Sequence, residues 1–351
     1  MRLPLTTEEV TASWLSDALR ASVTSVRVVE IIRGTAMKMR LSLSYAGATD
    51  LPAAMVLKGG LDIPEVGNIV GLTGYAREVE FFNDVAPELD INIPRSFFGA
   101  VDPDSGQALV LLEDLNERGV TFGHATSPIS PDTAVVALDM MARYHALWWE
   151  SPRLDPLARF PGVLEPIILY LLGPENWEAC MARPRADAVV AEMRDRERVQ
   201  AAVRAMWERN KEAPRCFIHG DPHLGNMYFE PDGSPGFLDW QGAMCGTWAH
   251  DVTYFVIGSL DIEDRRKHER DLIAGYLERL ASYGAPAPGW DDAWIAYRRN
   301  VMHGFMWVVN PEALQPEDVN TACATRFATA AVDLDTMAAL ERKQEPGTWS
   351  P

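Results

Sequence analysis

Residues 216–226 read Cys-Phe-Ile-His219-Gly220-Asp221-Pro222-His223-Leu-Gly-Asn226, and residues 237–241 read Phe-Leu-Asp239-Trp-Gln. Between them, Asn226–Glu230 and Gly236–Trp240 flank Pro231-Asp-Gly-Ser234, a pattern that predicts a β-hairpin. Closing the hairpin on Asp232–Gly233 sets Asn226 opposite Asp239, with Cβ atoms about 4.5–5.5 Å apart. An amide oxygen and a carboxylate at that separation suit a hard cation such as Mg²⁺, which keeps waters and takes its other ligands from phosphate groups. Asp221 falls in the turn just ahead, held by Gly220 and Pro222. A carboxylate there can accept a proton from a nucleophile beside a metal-bound phosphate.

Working outward, Val26–Ile32, Arg40–Tyr45 with strict alternation, and Ala53–Lys58 read as strands separated by Gly34 and by Ala46-Gly47-Ala48. Thr73–Val85 has helical spacing through Tyr75, Val79 and Phe82 and stops before Pro87. Ser96–Val101 and Gln107–Leu112 follow as strands around the turn Asp102-Pro-Asp-Ser-Gly106. Residues 1–113 therefore predict a small antiparallel sheet of five strands with one inserted helix. Beyond them the period changes to 3.6. Ser130-Pro131 opens a helix through Leu138, Met141, Tyr144 and Leu147, with Ser as N-cap and Pro at the first helical position. Further helices are expected at 187–211, 264–283, 291–309 and 317–342. The fold class is α+β, a sheet-rich N-lobe over 1–113 and a larger, mostly helical C-lobe over 114–351.

Composition narrows the partners. With 32 Lys+Arg against 50 Asp+Glu the chain carries a net charge of −18, which repels phosphate backbones and anionic membranes, so neither is an expected partner. No uncharged apolar run approaches the roughly 18 residues of a membrane span, and Glu8, Glu9 and Asp17 interrupt the first nineteen residues. A cytoplasmic location is expected. Cys180, Cys216, Cys245 and Cys323 are far apart and form no Cys-x-x-Cys pair, which predicts reduced, buried thiols.

His219-x-Asp221-x-x-x-x-Asn226 with Asp239-Trp-Gln downstream resembles the catalytic loop of the protein-kinase-like fold, where these positions supply the base and two metal ligands. The fuller pattern, His-Gly-Asp-x-His-x-x-Asn and then Asp-Trp, is similar to the aminoglycoside phosphotransferase and choline kinase family, the small-molecule branch of that fold. The resemblance implies a two-lobe, protein-kinase-like architecture with a nucleotide-binding N-lobe. It implies an ATP- and Mg²⁺-dependent kinase that moves a γ-phosphoryl group to an alcohol or phenol hydroxyl of a small molecule, with GTP an open alternative donor. It gives Asp221 as catalytic base, Asn226 and Asp239 as metal ligands, and Lys58, at the end of the third strand, as partner of the α/β-phosphates. Glu78 on the inserted helix would hold Lys58, with Glu80 in reserve. Glu113 and Leu115, where the last N-lobe strand ends, would offer backbone hydrogen bonds to adenine. Ala142-Arg-Tyr-His145 resembles the helix beneath the loop, and Asp251, with His219 and His223, would support the loop itself.

One part departs from the pattern. A phosphate-cradling loop would read Gly-x-Gly-x-x-Gly, whereas Ile32-Arg-Gly34-Thr-Ala-Met37-Lys38 offers Gly34 alone. Ala86-Pro-Glu88 lies far upstream of Asp239 and the stretch to Asp251 is short, so no activation loop or peptide platform is expected.

Plainer readings stand beside these. Lys58 alone is a solvated strand end, Glu80 and Glu113 are solvated or brace backbone, and His223 divides between loop scaffold and acceptor contact. Most of the eleven tryptophans belong to helix packing. Arg298, Arg299 and His303 share the helix expected to border the acceptor, with Arg298 and His303 the candidate contacts. Two other functions compete: a nucleotide-binding module without catalysis, and a hydrolase using His219-x-x-x-His223 as a metal pair. Pro222 and two glycines argue against the helix the latter needs. The acceptor stays open among aminoglycoside, choline, macrolide, sugar, steroid and phenol, as does the oligomeric state.

Overall fold

The computed structural model describes residues 1–34, 36–62, 69–157 and 164–341. They divide into two compact units. One comprises Met1–Thr121 with Tyr228–Asp232 and Gly236–Ala243; the other comprises Phe122–Met227, Gly233–Pro235 and the described residues from Met244 onward.

The first unit opens with α1 (Ala12–Leu19), outside the sequence expectations, N-capped by the Thr11 side chain on the Trp14 N–H. Strands β1 (Val23–Ile32), β2 (Met37–Tyr45) and β3 (Ala54–Gly59) follow, then α2 (Ile69–Glu80), β4 (Ser96–Val101) and β5 (Ala108–Glu113). The five strands form one antiparallel sheet in the order β1-β2-β3-β5-β4. Alternation decides the faces. Met37, Met39, Leu41 and Leu43 of β2 pack into a core with Leu57, Leu109, Leu111, Trp14 and Leu15. The intervening Lys38 and Arg40 turn to the other face, and Lys38 lies directly opposite Lys58 of β3 in the register. Gly59 is required where it stands: its φ is +153°, and a Cβ would sit 2.2 Å from the Ala108 carbonyl oxygen. The expected helix over 73–85 starts earlier and changes character, passing into a π turn at Phe81–Val85 and a 3₁₀ turn at Ala86–Glu88.

After the two-residue strand β6 (Thr121–Phe122) comes α3 (Pro131–Leu147), with Ser130 accepting the Thr133 N–H as N-cap. Short helices α4 (Leu154–Leu157), α5 (Leu164–Leu171) and α6 (Pro174–Met181) lead to α7 (Arg196–Lys211). The expected helix from 187 begins only at Arg196, because Asp195 caps it and 3₁₀ turns fill Pro184–Ala188 and Ala191–Met193. Strand β7 (Cys216–Ile218), the hairpin β8 (Met227–Phe229) and β9 (Pro235–Phe237), and β10 (Met244–Gly246) follow, β10 pairing antiparallel with β7. Next are α8 (Trp248–Ser259), α9 (Ile262–Ser282), α10 (Trp290–Gly304), α11 (Glu317–Asp333) and α12 (Thr336–Glu341). All twelve residues of α8 are buried, which makes it the central helix of this unit. The single helix expected over 317–342 is broken at Leu334–Asp335, where Asp335 adopts a φ of +50°. No described helix is long and apolar enough to cross a membrane. The four cysteines are free; Cys245 is half-buried rather than buried.

Candidate active site

In the second unit β7 delivers the chain to His219, and a buried carboxylate fixes the turn there. Asp251, on α8, accepts the His219 N–H at 2.7 Å through Oδ2 and the Gly220 N–H at 2.9 Å through Oδ1. Tyr144 donates its hydroxyl to the same carboxylate at 2.9 Å, and His145 Nε2 lies 3.4 Å away. Burial pushes the Asp251 carboxyl up, but the hydrogen bond from His145 and the neighbouring histidines outweigh it and hold it at about 2. Burial lowers His145 itself, so at neutral pH it serves as an uncharged N–H donor whose Nδ1 meets the Tyr276 hydroxyl at 2.8 Å. Gly220, at a φ of +81°, turns the chain, and His250 Nε2 meets its carbonyl oxygen at 2.9 Å.

That bracing presents Asp221 with 43% of its side chain exposed. The Asn226 amide donates to the Asp221 carbonyl at 2.9 Å and to Oδ2 at 3.2 Å. His223 Nδ1 accepts the Gly225 N–H at 3.0 Å, which leaves the proton on Nε2, 3.6 Å from Asp221 Oδ2. Tyr254 of α8 hydrogen-bonds Asp221; burial first, then the Asp221 charge, pushes its hydroxyl far up, so it stays protonated. Trp307 meets the His223 ring edge-on at 5.5 Å.

In the first unit a charge cluster forms on the sheet face opposite the core. Lys58 Nζ lies 2.8 Å from Glu78 Oε1 and 2.8 Å from Asp239 Oδ1, and Lys38 Nζ lies 3.4 Å from Asp239 Oδ2. Burial works against the Lys58 ammonium, but Asp239 and Glu78 more than offset it and keep Lys58 charged. Burial raises Glu78, and Lys58 pulls it back only in part because Asp239 adds a like charge. Glu78 Oε1 also accepts the Trp240 N–H at 3.2 Å, Phe81 stacks on Trp240 at 3.9 Å, and Arg77 donates to the Ala243 carbonyl at 2.7 Å. Glu78, not Glu80, is thus the acid that meets Lys58.

The route by which Asn226 and Asp239 are placed differs from the expected one. Asn226 ends a 3₁₀ turn over Leu224–Asn226 and Asp239 has a left-handed φ of +64°, so neither belongs to the three-residue strands β8 and β9. Turn geometry, not ladder pairing, presents each oxygen. Both suit a hard cation: Asn226 uses its amide nitrogen on Asp221, leaving Oδ1 without a partner among the described residues, and Asp239 is a carboxylate. No group of three or more His, Cys, Asp and Glu forms a metal cage among the described residues. The His219/His223 metal pair fails on backbone grounds, since no helix spans 219–223.

Glu113 ends β5, its N–H on the Arg95 carbonyl at 2.9 Å and its Oε1 accepting Arg95 N–H and Arg118. Leu115 opens a 3₁₀ turn capped by Asp114. At Gly34 a Cβ would meet only the Ala36 carbonyl at 3.7 Å, so the chain itself does not demand glycine there; Thr35 lies outside the described residues. The two residues expected as acceptor contacts both have partners within their own unit. The Arg298 guanidinium is tied to the Leu334 and Asp335 carbonyls at the α11–α12 break, and His303 is 3% exposed, packed between the His250 and Tyr254 rings and held neutral by burial. Tyr254 and His250 went unassigned in the sequence because the helix that carries them was not among those expected, and Lys38 because its stretch was read only for glycines.

The profile of the phosphotransferase enzyme family matches residues 72–294, and the chain belongs to that family. Among solved structures it is similar to a Ralstonia eutropha JMP134 protein provisionally assigned as an aminoglycoside phosphotransferase, at 15% identity, TM-score 0.54, with 92% of this chain and 97% of that one covered. It is also similar to an ethanolamine kinase of Plasmodium vivax, at 11% identity, TM-score 0.52, with 88% and 82% covered. The Streptococcus pneumoniae choline kinase LicA follows at 13% identity, TM-score 0.48, with 94% and 99% covered. No curated protein sequence matches the chain. The fold is the protein-kinase-like one, and the chain is a phosphotransferase by family.

Proposed function

We propose that this protein is an ATP- and Mg²⁺-dependent kinase for a hydroxyl group of a small organic molecule. The observation that carries the reading is Asp221, an exposed carboxylate on a loop whose neighbouring backbone groups are tied to a fully buried one. Asp221 takes the proton as the acceptor oxygen attacks the γ-phosphorus and the bond to the β-phosphate breaks. His223 and Tyr254 steer the carboxylate toward that oxygen. Asn226 and Asp239 are the metal ligands; Mg²⁺ would neutralise charge on the phosphates. Lys58, fixed by Glu78, pairs with the same phosphates, so the residues contribute chiefly positioning and charge neutralisation. Family membership supports phosphoryl transfer, and the short stretch from Asp239 to Asp251, without a peptide platform, supports a small acceptor.

The test is ADP release with Mg-ATP across hydroxylated acceptors from polycationic to aromatic, for the wild type and Asp221→Asn. An acceptor-dependent signal that Asp221→Asn abolishes while nucleotide affinity holds supports the reading. An Asp221→Asn variant with full turnover removes Asp221 as base. Nucleotide binding without turnover on any acceptor favours the non-catalytic alternative.

A further inference from the structure

We propose that Lys38 is a second phosphate-binding cation, whose ammonium does the work that a glycine-rich loop does with backbone N–H groups. This rests on the nucleotide-binding reading above and answers its one departure from pattern, the single Gly34.

The placement follows from strand alternation. Lys38 and Lys58 are direct cross-strand partners, so both leave the sheet on one face. Their ammonium groups divide Asp239 between them, Lys58 on Oδ1 at 2.8 Å and Lys38 on Oδ2 at 3.4 Å. Lys58 is 4% exposed and also pinned by Glu78, whereas the Lys38 side chain is 35% exposed. Arg40, next along the same face, is committed to Asp114 at 2.9 Å and Glu30 at 3.1 Å. Of Lys38, Arg40 and Lys58, Lys38 is therefore the cation that can change partner. Two lysines balance Glu78 and Asp239. Once Asp239 turns to a divalent cation, the cluster carries excess positive charge, and phosphate oxygens are the anions that restore balance. A lysine reaches them from its side chain and needs no glycine for close backbone approach.

The experiment is equilibrium binding of adenosine, AMP, ADP and a non-hydrolysable ATP analogue to the wild type, Lys38→Met and Lys38→Arg. Lys38→Met should weaken ADP and the analogue about tenfold while leaving adenosine unchanged, and Lys38→Arg should stay within about twofold of wild type. Repeated without Mg²⁺ in an Asp239→Asn background, the phosphate-dependent loss should persist, because Lys38 acts on phosphate and not through Asp239. An equal loss for adenosine and the analogue, no loss, or a loss that disappears in the Asp239→Asn background overturns the proposal. If the wild type binds no adenine nucleotide, the parent reading fails with it; tight wild-type binding that Lys38→Met leaves untouched refutes Lys38 alone.

Discussion

Replacing Asp251 by Asn tests whether one buried charge holds the loop at His219–Asp221. The carboxylate is fully buried and accepts from two successive backbone N–H groups and the Tyr144 hydroxyl. Asn is nearly isosteric but has one acceptor oxygen, so either way round it turns an amide NH₂ toward His219 or Gly220. A buried N–H left unsatisfied costs about 1–3 kcal/mol, and each remaining bond loses about 1 kcal/mol with the charge. The sum is roughly 3–5 kcal/mol, the range for breaking a buried charged network. Urea unfolding followed by tryptophan fluorescence should show the midpoint falling with the slope unchanged. The pH dependence gives an independent check. Asp251 is held at about 2 against an ordinary 3.8, so its stabilisation is complete above the ordinary value and is lost as pH falls toward 2. That interval corresponds to roughly 2–3 kcal/mol, and Asn cannot titrate. The gap between wild type and variant should therefore narrow as pH drops from 4 toward 2. A loss under about 1 kcal/mol, or a gap that stays constant with pH, refutes the reasoning.

Two further substitutions probe the sheet unit. Glu78→Gln keeps an acceptor for Lys58 and the Trp240 N–H but removes a charge, so nucleotide affinity should fall about tenfold with under about 2 kcal/mol of stability lost, whereas Glu78→Ala should cost about 3–5 kcal/mol; calorimetric titration and urea unfolding separate the two. Gly59→Ala should destabilise by roughly 2–4 kcal/mol in urea unfolding, because its Cβ would meet the Ala108 carbonyl oxygen at 2.2 Å.

Much of the sheet was legible because its residues alternate: the pattern of Arg40–Tyr45 alone reads as a strand, and β2 runs Met37–Tyr45. The helix at Ser130-Pro131 was legible through its cap chemistry. Helix α8 was not. All twelve of its residues are buried, so it has no polar face and hence no 3.6-residue signature, although Asp251, His250 and Tyr254 all come from it. The breaks at Asp195 and Leu334–Asp335 were hidden for a different reason. A cap or a left-handed residue stops a helix without changing its apolar period, and Arg298 reads as an exposed cation until its carbonyl partners are in place. The Asn226/Asp239 pairing was read from a ladder geometry the chain does not have, since turns at both positions replace the ladder.

Within each unit the same device recurs. Asp251, 0% exposed, orients the loop that presents Asp221, and Lys58, 4% exposed, holds Asp239, whose side chain is 21% exposed. In each case an ion that never reaches solvent fixes the group that does. The chemistry explains the choice of ion. Two adjacent N–H groups need two acceptor atoms in one rigid fork, which a carboxylate has and an amide or hydroxyl lacks. Two carboxylates brought near one another need a cation between them, and an ammonium with three donors can serve both. Burial makes each arrangement costly to leave half-paired, so every partner is held in place and the exposed group inherits that rigidity. Under the proposed function, a carboxylate positioned this way has little freedom left to lose when a substrate binds, which is where positioning would contribute to rate.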